Sequence, residues 1–171
     1  MSKHSTVAAV YTGSFDPISL GHLNVIERSS KLVDRLVVGI GTNIDKAPMF
    51  LPEERVELVT RVTRHLPNVT VKTFDGLAVQ FVRECNAKLM IRGVRPLTDI
   101  AAEFTMTMAN KQLDPEVETM FLMAEGDFSH VSSSLIKQIA PLADDEKLAR
   151  FVPREIIPDL RRKLKLLKVE S

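Results

Sequence analysis

The residues of this chain that could do chemistry gather behind short apolar runs, and their types point to phosphate. The densest group is Thr12-Gly13-Ser14-Phe15-Asp16-Pro17-Ile18-Ser19-Leu20-Gly21-His22. Gly13 lets backbone N–H groups come close to a phosphate, and Ser14 offers a hydroxyl donor. His22 reads as the opening of a helix, where the dipole already favours an anion and a ring N–H can reach a phosphate oxygen. Further along stand Gly41-Thr42-Asn43-Ile44-Asp45-Lys46, then Arg92-Gly93-Val94-Arg95, then Glu125-Gly126-Asp127-Phe128-Ser129-His130 with the triple serine Ser132-Ser133-Ser134. Lys46 is a compact positive charge on a flexible stem. Arg92 and Arg95 can grip phosphate with two parallel hydrogen bonds. The serines supply N-cap hydroxyls and a second helix terminus. Each piece also has a plain reading. Gly13 and Pro17 shape a turn, Asp16 before Pro17 suits turn-making, Lys46 is a solvated loop lysine, and the serines cap a helix. Their recurrence behind one strand after another carries more weight than any of them singly.

The elements that must position these groups are visible in the spacing of apolar residues. Apolar runs at 7–11, 36–40, 69–73, 89–91 and 117–123 read as strands, the fourth stopped by Arg92-Gly93. Between them, helical periodicity appears at 22–32, 52–66, 77–86, 99–113 and 133–140, the second opening on Pro52-Glu53-Glu54. Strand alternating with helix implies right-handed crossovers and a parallel sheet. The expected fold is therefore α/β: a Rossmann-like, doubly wound, five-stranded parallel sheet with helices on both faces. It forms a single domain over 1–171, with a core at about 7–140 and a helical tail at 144–171. In such sheets ligands bind at the carboxyl ends of the strands, near the topological switch point, which is where the phosphate-compatible groups fall. In the tail, 159–168 places Leu160, Leu164 and Leu167 on one face, surrounded by Arg161, Arg162, Lys163, Lys165 and Lys168. It reads as a basic amphipathic helix docked on the domain.

Composition narrows the function classes. The 171 residues are 44% hydrophobic and 26% charged with a formal net charge of +1, so any anion site is local and no global field draws nucleic acid or membrane. The lone Cys85 excludes an intrachain disulfide and reads as a packed thiol. The apolar run at 7–10 is too short for a signal-peptide core, and no segment has the length of a membrane span, so a cytoplasmic location is expected. There is no Gly-x-x-x-x-Gly-Lys-Ser/Thr loop, no metal-ligand spacing of Cys or His, and Gly39-Ile40-Gly41 lacks the third glycine of a dinucleotide fingerprint. His4 and His65 read as surface residues; His130 lies in a ligand-type loop but could simply pack.

Gly13-Ser14-Phe15-Asp16-Pro17 followed by Gly21-His22 resembles the signature of the nucleotidyltransferase superfamily, with Ser19 standing where the superfamily has His or Thr. Lys46-Ala47-Pro48-Met49-Phe50, Glu53-Glu54-Arg55, Ile91-Arg92-Gly93-Val94-Arg95 and Val131-Ser132-Ser133-Ser134 resemble the bacterial phosphopantetheine adenylyltransferase family, in order and in spacing, over residues 7–153. The resemblance implies transfer of AMP from ATP to 4′-phosphopantetheine, giving dephospho-coenzyme A and pyrophosphate. It implies catalytic roles for His22, Lys46 and Arg92. It implies an ATP site of Ser14, Phe15, His22, Gly93, Val94, Arg95, Glu103, Phe128, Ser129, His130, Val131, Ser132, Ser133 and Ser134. The acceptor would meet Ser14, Lys46, Arg92 and Ala78, the last through its backbone. Mg²⁺ carried on the ATP phosphates, a homohexamer and coenzyme A as a feedback ligand are also implied. Ile100-Ala101-Ala102, where the family often has acidic and aromatic residues, and Phe128, where some members have tryptophan, bear on the adenosine contacts. The alternatives are another adenylyl- or cytidylyltransferase of the superfamily, or a non-catalytic nucleotide-binding regulator.

Overall fold

The computed structural model describes residues 6–42, 48–95 and 100–169. Strand β1 (Ala8–Gly13) leads into helix α1 (Leu20–Ser30), and β2 (Arg35–Gly41) into α2 (Pro52–Thr63). The pattern continues through β3 (Val69–Phe74), α3 (Ala78–Glu84), β4 (Leu89–Val94), α4 (Ile100–Leu113) and β5 (Glu118–Met123). All pairings are parallel, in the order β3-β2-β1-β4-β5. The chain thus winds outward on both sides of β1, and the switch point lies between β1 and β4. No helix among the described residues is long and apolar enough to cross a membrane.

Successive strand residues face opposite sides, so the central strands feed two cores. Ala9, Tyr11, Leu36, Val38, Ile40 and Ile91 pack on one face with Val25 and Ile26 of α1 and Leu58, Val59 and Val62 of α2. Val10, Val37 and Met90 pack on the other with Val79, Phe81 and Val82 of α3, and buried Cys85 joins them. Burial raises the pKa of the Cys85 thiol, in keeping with a packed, unreactive group. Gly39 is needed for packing. A Cβ there would stand 2.4 Å from the Phe81 ring, which stacks on Phe74 at 4.6 Å between centroids.

Two boundaries and the exposure of one strand differ from the sequence-based expectation. β4 does not stop at Arg92-Gly93. Arg92, Gly93 and Val94 pair with Phe121, Leu122 and Met123, so the ladder carries the arginine into the strand end. β3 is a half-exposed edge strand rather than a buried one, because it has one neighbour. α1 begins two residues before His22, with Ser19 as its N-cap.

Beyond the sheet, α5 (Ser133–Ile139), α6 (Asp145–Leu148) and α7 (Ile157–Val169) return to the α1–α2 face. Ile136, Leu148, Ile156 and Leu160 are fully buried there, each side chain contributing about 1.5–3 kcal/mol relative to exposure. Three basic residues of α7 are paired within the fold. Arg161 donates to the carbonyls of Ala140 and Ala143 and meets Asp145, Arg162 meets Asp159, and Lys163 meets Glu54 at 2.7 Å. The tail is a docked helix, as its pattern suggests.

Candidate active site

At the carboxyl ends of β1 and β4 the sheet opens into a cleft of about 280 Å³. One wall is the segment from Tyr11 to Ser14 together with the start of α1. The other is the end of β4, and the loop before α5 closes the rim. Gly93 forms part of the floor. A Cβ on it would lie 3.0 Å from Val25 and 3.2 Å from the Tyr11 hydroxyl, so a side chain there would crowd the cleft. Phe128 packs over Gly21, where a Cβ would stand 3.7 Å from its backbone oxygen.

His22 is held by its own helix cap. The Ser19 hydroxyl accepts from the His22 N–H at 3.1 Å, and the Ser19 N–H donates to His22 Nδ1 at 3.1 Å. The two residues form a capping box in which histidine takes the place usually filled by Glu or Gln. Because Nδ1 accepts, the ring proton resides on Nε2, leaving that edge as a donor. Burial is the largest cause of a pKa lowered to about 4, and the charges of Arg95 and Arg92 add to it. The imidazole is therefore neutral at pH 7, a hydrogen-bond donor without a net charge. Phe15, with φ of 47°, sits beneath it, ring centroids 4.9 Å apart.

Arg92 reaches across the switch point. Its Nη1 donates to the Thr12 carbonyl at 2.8 Å and hydroxyl at 3.0 Å, while Nε and Nη2 grip the Glu103 carboxylate at 2.7 Å each. Glu103, on α4, thus fixes the guanidinium plane at the mouth of the cleft. Desolvation raises the pKa of buried Tyr11, which keeps its hydroxyl protonated beside this pair.

Of the residues singled out in the sequence, Ser14, His22, Arg92, Gly93, Arg95, Glu103, Phe128, Val131, Ser132 and Ser133 line this cleft. Others do not. Phe15 and Val94 are buried beneath it. Ser129 donates to the Gly126 carbonyl, the His130 ring stands edge-on to Phe151, and Ser134 is exposed. Ala78 opens α3 and packs against the opposite core. Lys46 and His4 lie outside the described residues. His65 is exposed and meets Glu27. Ser132 caps α5, accepting from the Leu135 N–H at 3.1 Å, and Ser133 donates to the Pro17 carbonyl at 2.9 Å. Tyr11, Val25 and Ala124 also line the cleft and had no signal of their own in the sequence. Only the strand parity of Tyr11, placing it on the α1 face, hinted at its position. Among the described residues no three His, Cys, Asp or Glu side chains gather as a metal-ligand set.

Comparison with known proteins bears on family and fold. Residues 10–139 match the cytidylyltransferase-like family model. A phosphopantetheine adenylyltransferase of Rhodopirellula baltica is 68% identical over 157 residues, covering 91% of this chain and 88% of the relative. One from Clostridium botulinum is 46% identical, covering 92% and 98%. In fold, the chain is similar to a Plasmodium falciparum nicotinic acid mononucleotide adenylyltransferase complexed with NaAD (TM-score 0.71, 16% identity, 95% and 97% covered). A second fold relative is a putative nicotinate-nucleotide adenylyltransferase of Vibrio parahaemolyticus (TM-score 0.63, 17% identity, 91% and 99% covered). From its signature turn to its serine loop, this chain belongs to the cytidylyltransferase-like family and, within it, to the phosphopantetheine adenylyltransferases.

Proposed function

We propose that the protein transfers AMP from ATP to 4′-phosphopantetheine, giving dephospho-coenzyme A and pyrophosphate, by direct in-line attack on the α-phosphorus. The observation that carries this reading is the meeting of a neutral His22 with Arg92 and Arg95 at one switch-point cleft, in a chain 68% identical to a phosphopantetheine adenylyltransferase. The acceptor is already a phosphate anion near neutral pH. It needs neither a general base nor an enzyme nucleophile. What remains is to align two anions that repel each other and to stabilise charge on the pentavalent transition state.

The residues divide that work. His22 donates from Nε2 to an α-phosphate oxygen. A neutral donor suits this place, since its preorganised N–H strengthens as charge develops. Arg92, its plane set by Glu103, draws the acceptor phosphate toward β1, and Lys46 supplies a second cation from the loop after β2. Ser14 donates at the turn. Arg95 and the loop from Phe128 to Ser133 hold the leaving pyrophosphate. Mg²⁺ would neutralise charge on the ATP phosphates. Among the lining residues Glu103 is the carboxylate, and Arg92 engages it, so the ion would come with the nucleotide rather than on a protein cage.

Self-association is part of the reading. α4 buries none of its residues, and Ile100, Phe104, Met106 and Met108 stand exposed on it, as do Phe121 and Met123 on β5. An apolar face of this extent suits contact with further copies of the chain; a homohexamer in the cytoplasm is the assembly the family resemblance implies, with coenzyme A as a feedback ligand.

Pyrophosphate release with ATP and a panel of acceptors tests substrate and reaction together. 4′-Phosphopantetheine should be the productive acceptor, with nicotinate mononucleotide and glycerol phosphate at background. Release with another acceptor and none with phosphopantetheine would overturn the assignment.

A further inference from the structure

Asp16 lies in the signature turn but does not line the cleft, and its buried carboxylate is fully engaged. Oδ1 accepts from the Phe50 N–H at 2.8 Å, and Oδ2 from the Met49 N–H at 2.9 Å. Lys137, from the middle of α5, completes the set with its ammonium at 2.5 Å from Oδ2. One side chain thus joins three stretches far apart in sequence: the turn after β1, the segment that closes the loop after β2, and the helix that follows the serine loop. Turn-making alone would not require these partners. A turn Asp bonds its own backbone two residues on, whereas these donors lie 33, 34 and 121 residues away.

Neighbouring contacts stiffen the same junction. Buried Arg55 of α2 donates to the Ser14 carbonyl at 2.9 Å and the Gly41 carbonyl at 3.2 Å, tying the ends of the first two loops. The Ser133 hydroxyl on the Pro17 carbonyl is a second link between α5 and the turn. The Phe50 ring is buried, with Lys163 above it at 5.7 Å.

We propose that Asp16 is a positioning residue for the transfer reaction: its carboxylate sets the nucleotide side of the site, on α5 and its serine loop, against the turn after β1, which carries Ser14 toward the acceptor and leads into His22. The proposal rests on the adenylyl-transfer reading, since the quantity Asp16 controls is the alignment of the two phosphates. Charge and valence both matter. An amide at position 16 accepts through one oxygen only and turns its NH₂ toward a backbone N–H or the Lys137 ammonium, donor against donor. Both substrates would still find their own contacts, but out of register. Displacements of about 1 Å can cost about 100-fold in rate, so the loss belongs to kcat.

The test is steady-state kinetics of the full chain and of Asp16→Asn, Lys137→Gln and the double variant, with both substrates varied and thermal melting measured alongside. Wild-type turnover to dephospho-coenzyme A tests the reading on which the proposal stands; the ratio of variant to wild type tests the proposal. Asp16→Asn should lower kcat about 30- to 100-fold, with KM for ATP within about threefold. Lys137→Gln cuts only the link to α5 at a partly exposed side chain. It should lower kcat about 3- to 10-fold with its melting midpoint within about 2 °C of wild type. The double variant should be no slower than Asp16→Asn, because both changes break one junction. The proposal is overturned if Lys137→Gln turns over like wild type, if Asp16→Asn loses melting temperature but keeps kcat, or if the two losses multiply. Should Asp16→Asn not fold, Lys137→Gln decides the matter alone.

Discussion

His22 concentrates the chemistry at the scale of single residues. Its neutrality comes from burial and from two arginines that repel a further positive charge, and its proton sits on Nε2 because Nδ1 is occupied by the Ser19 N–H. Replacing it with Ala removes a donor aimed at the transition state. A fall in kcat of about 100- to 1,000-fold with ATP affinity nearly unchanged is the expected outcome; near-normal turnover would remove His22 from the chemistry. The same residue writes itself into stability. Its pKa drops from 6.5 to about 4 on folding, so between those values the unfolded chain holds a proton that the folded chain refuses. Stability therefore rises with pH from about 4 to 6.5 and is lost on acidification through that window. His22→Gln should flatten this slope in urea unfolding across those pH values, and an unchanged slope would contradict the assignment.

At the scale of elements, the turn from β1 into α1 does most to shape the site. Ser19→Ala would delete the hydroxyl that caps α1 and leave His22 without one of its two restraints. The expected cost is about 1 kcal/mol of stability, together with a fall in kcat smaller than that of His22→Ala; melting and turnover measured on one preparation separate the two effects. Much of this arrangement was legible beforehand. The alternation of apolar runs with helical spacing sufficed for the parallel sheet, because buried central strands must be apolar on both faces, as Val37, Val38 and Ile40 are. The grouping of Ser14, His22, Arg92, Arg95 and the serines at strand ends also followed. What stayed hidden depends on tertiary contact. Arg92-Gly93 looks like a strand stop until β5 pairs with it. The four residues of α6 are too few to show a period. The grip of Glu103 on Arg92 spans a crossover, and the contacts of Asp16 link it to Met49, Phe50 and Lys137. Ser19, which looked like a departure from the signature, proves to be the residue that orients its histidine. Asp16, which looked like a turn-maker, joins a turn, a loop end and a helix.

For the whole molecule, the uneven treatment of its helices is informative. α7 carries a run of basic residues, yet Arg161, Arg162 and Lys163 are paired and the helix is docked, while α4, one residue longer and far more apolar, is left open. Its Glu103 faces the cleft, and its Phe104 is 60% exposed. Assembly through this face would brace the helix that orients Arg92. Phe104→Glu should shift sedimentation toward the monomer and weaken binding of the acceptor. A variant that keeps the wild-type assembly would show that the apolar face serves some other contact.

Direct transfer of an adenylyl group between two bound phosphates leaves its mark on the fate of the α-phosphorus. ATP labelled at the α-phosphate, mixed rapidly with the enzyme and 4′-phosphopantetheine, should pass its label to dephospho-coenzyme A with none on the protein. Without acceptor, the label should stay in ATP. Labelled protein, or label retained in ATP when phosphopantetheine is present, would rule out direct transfer.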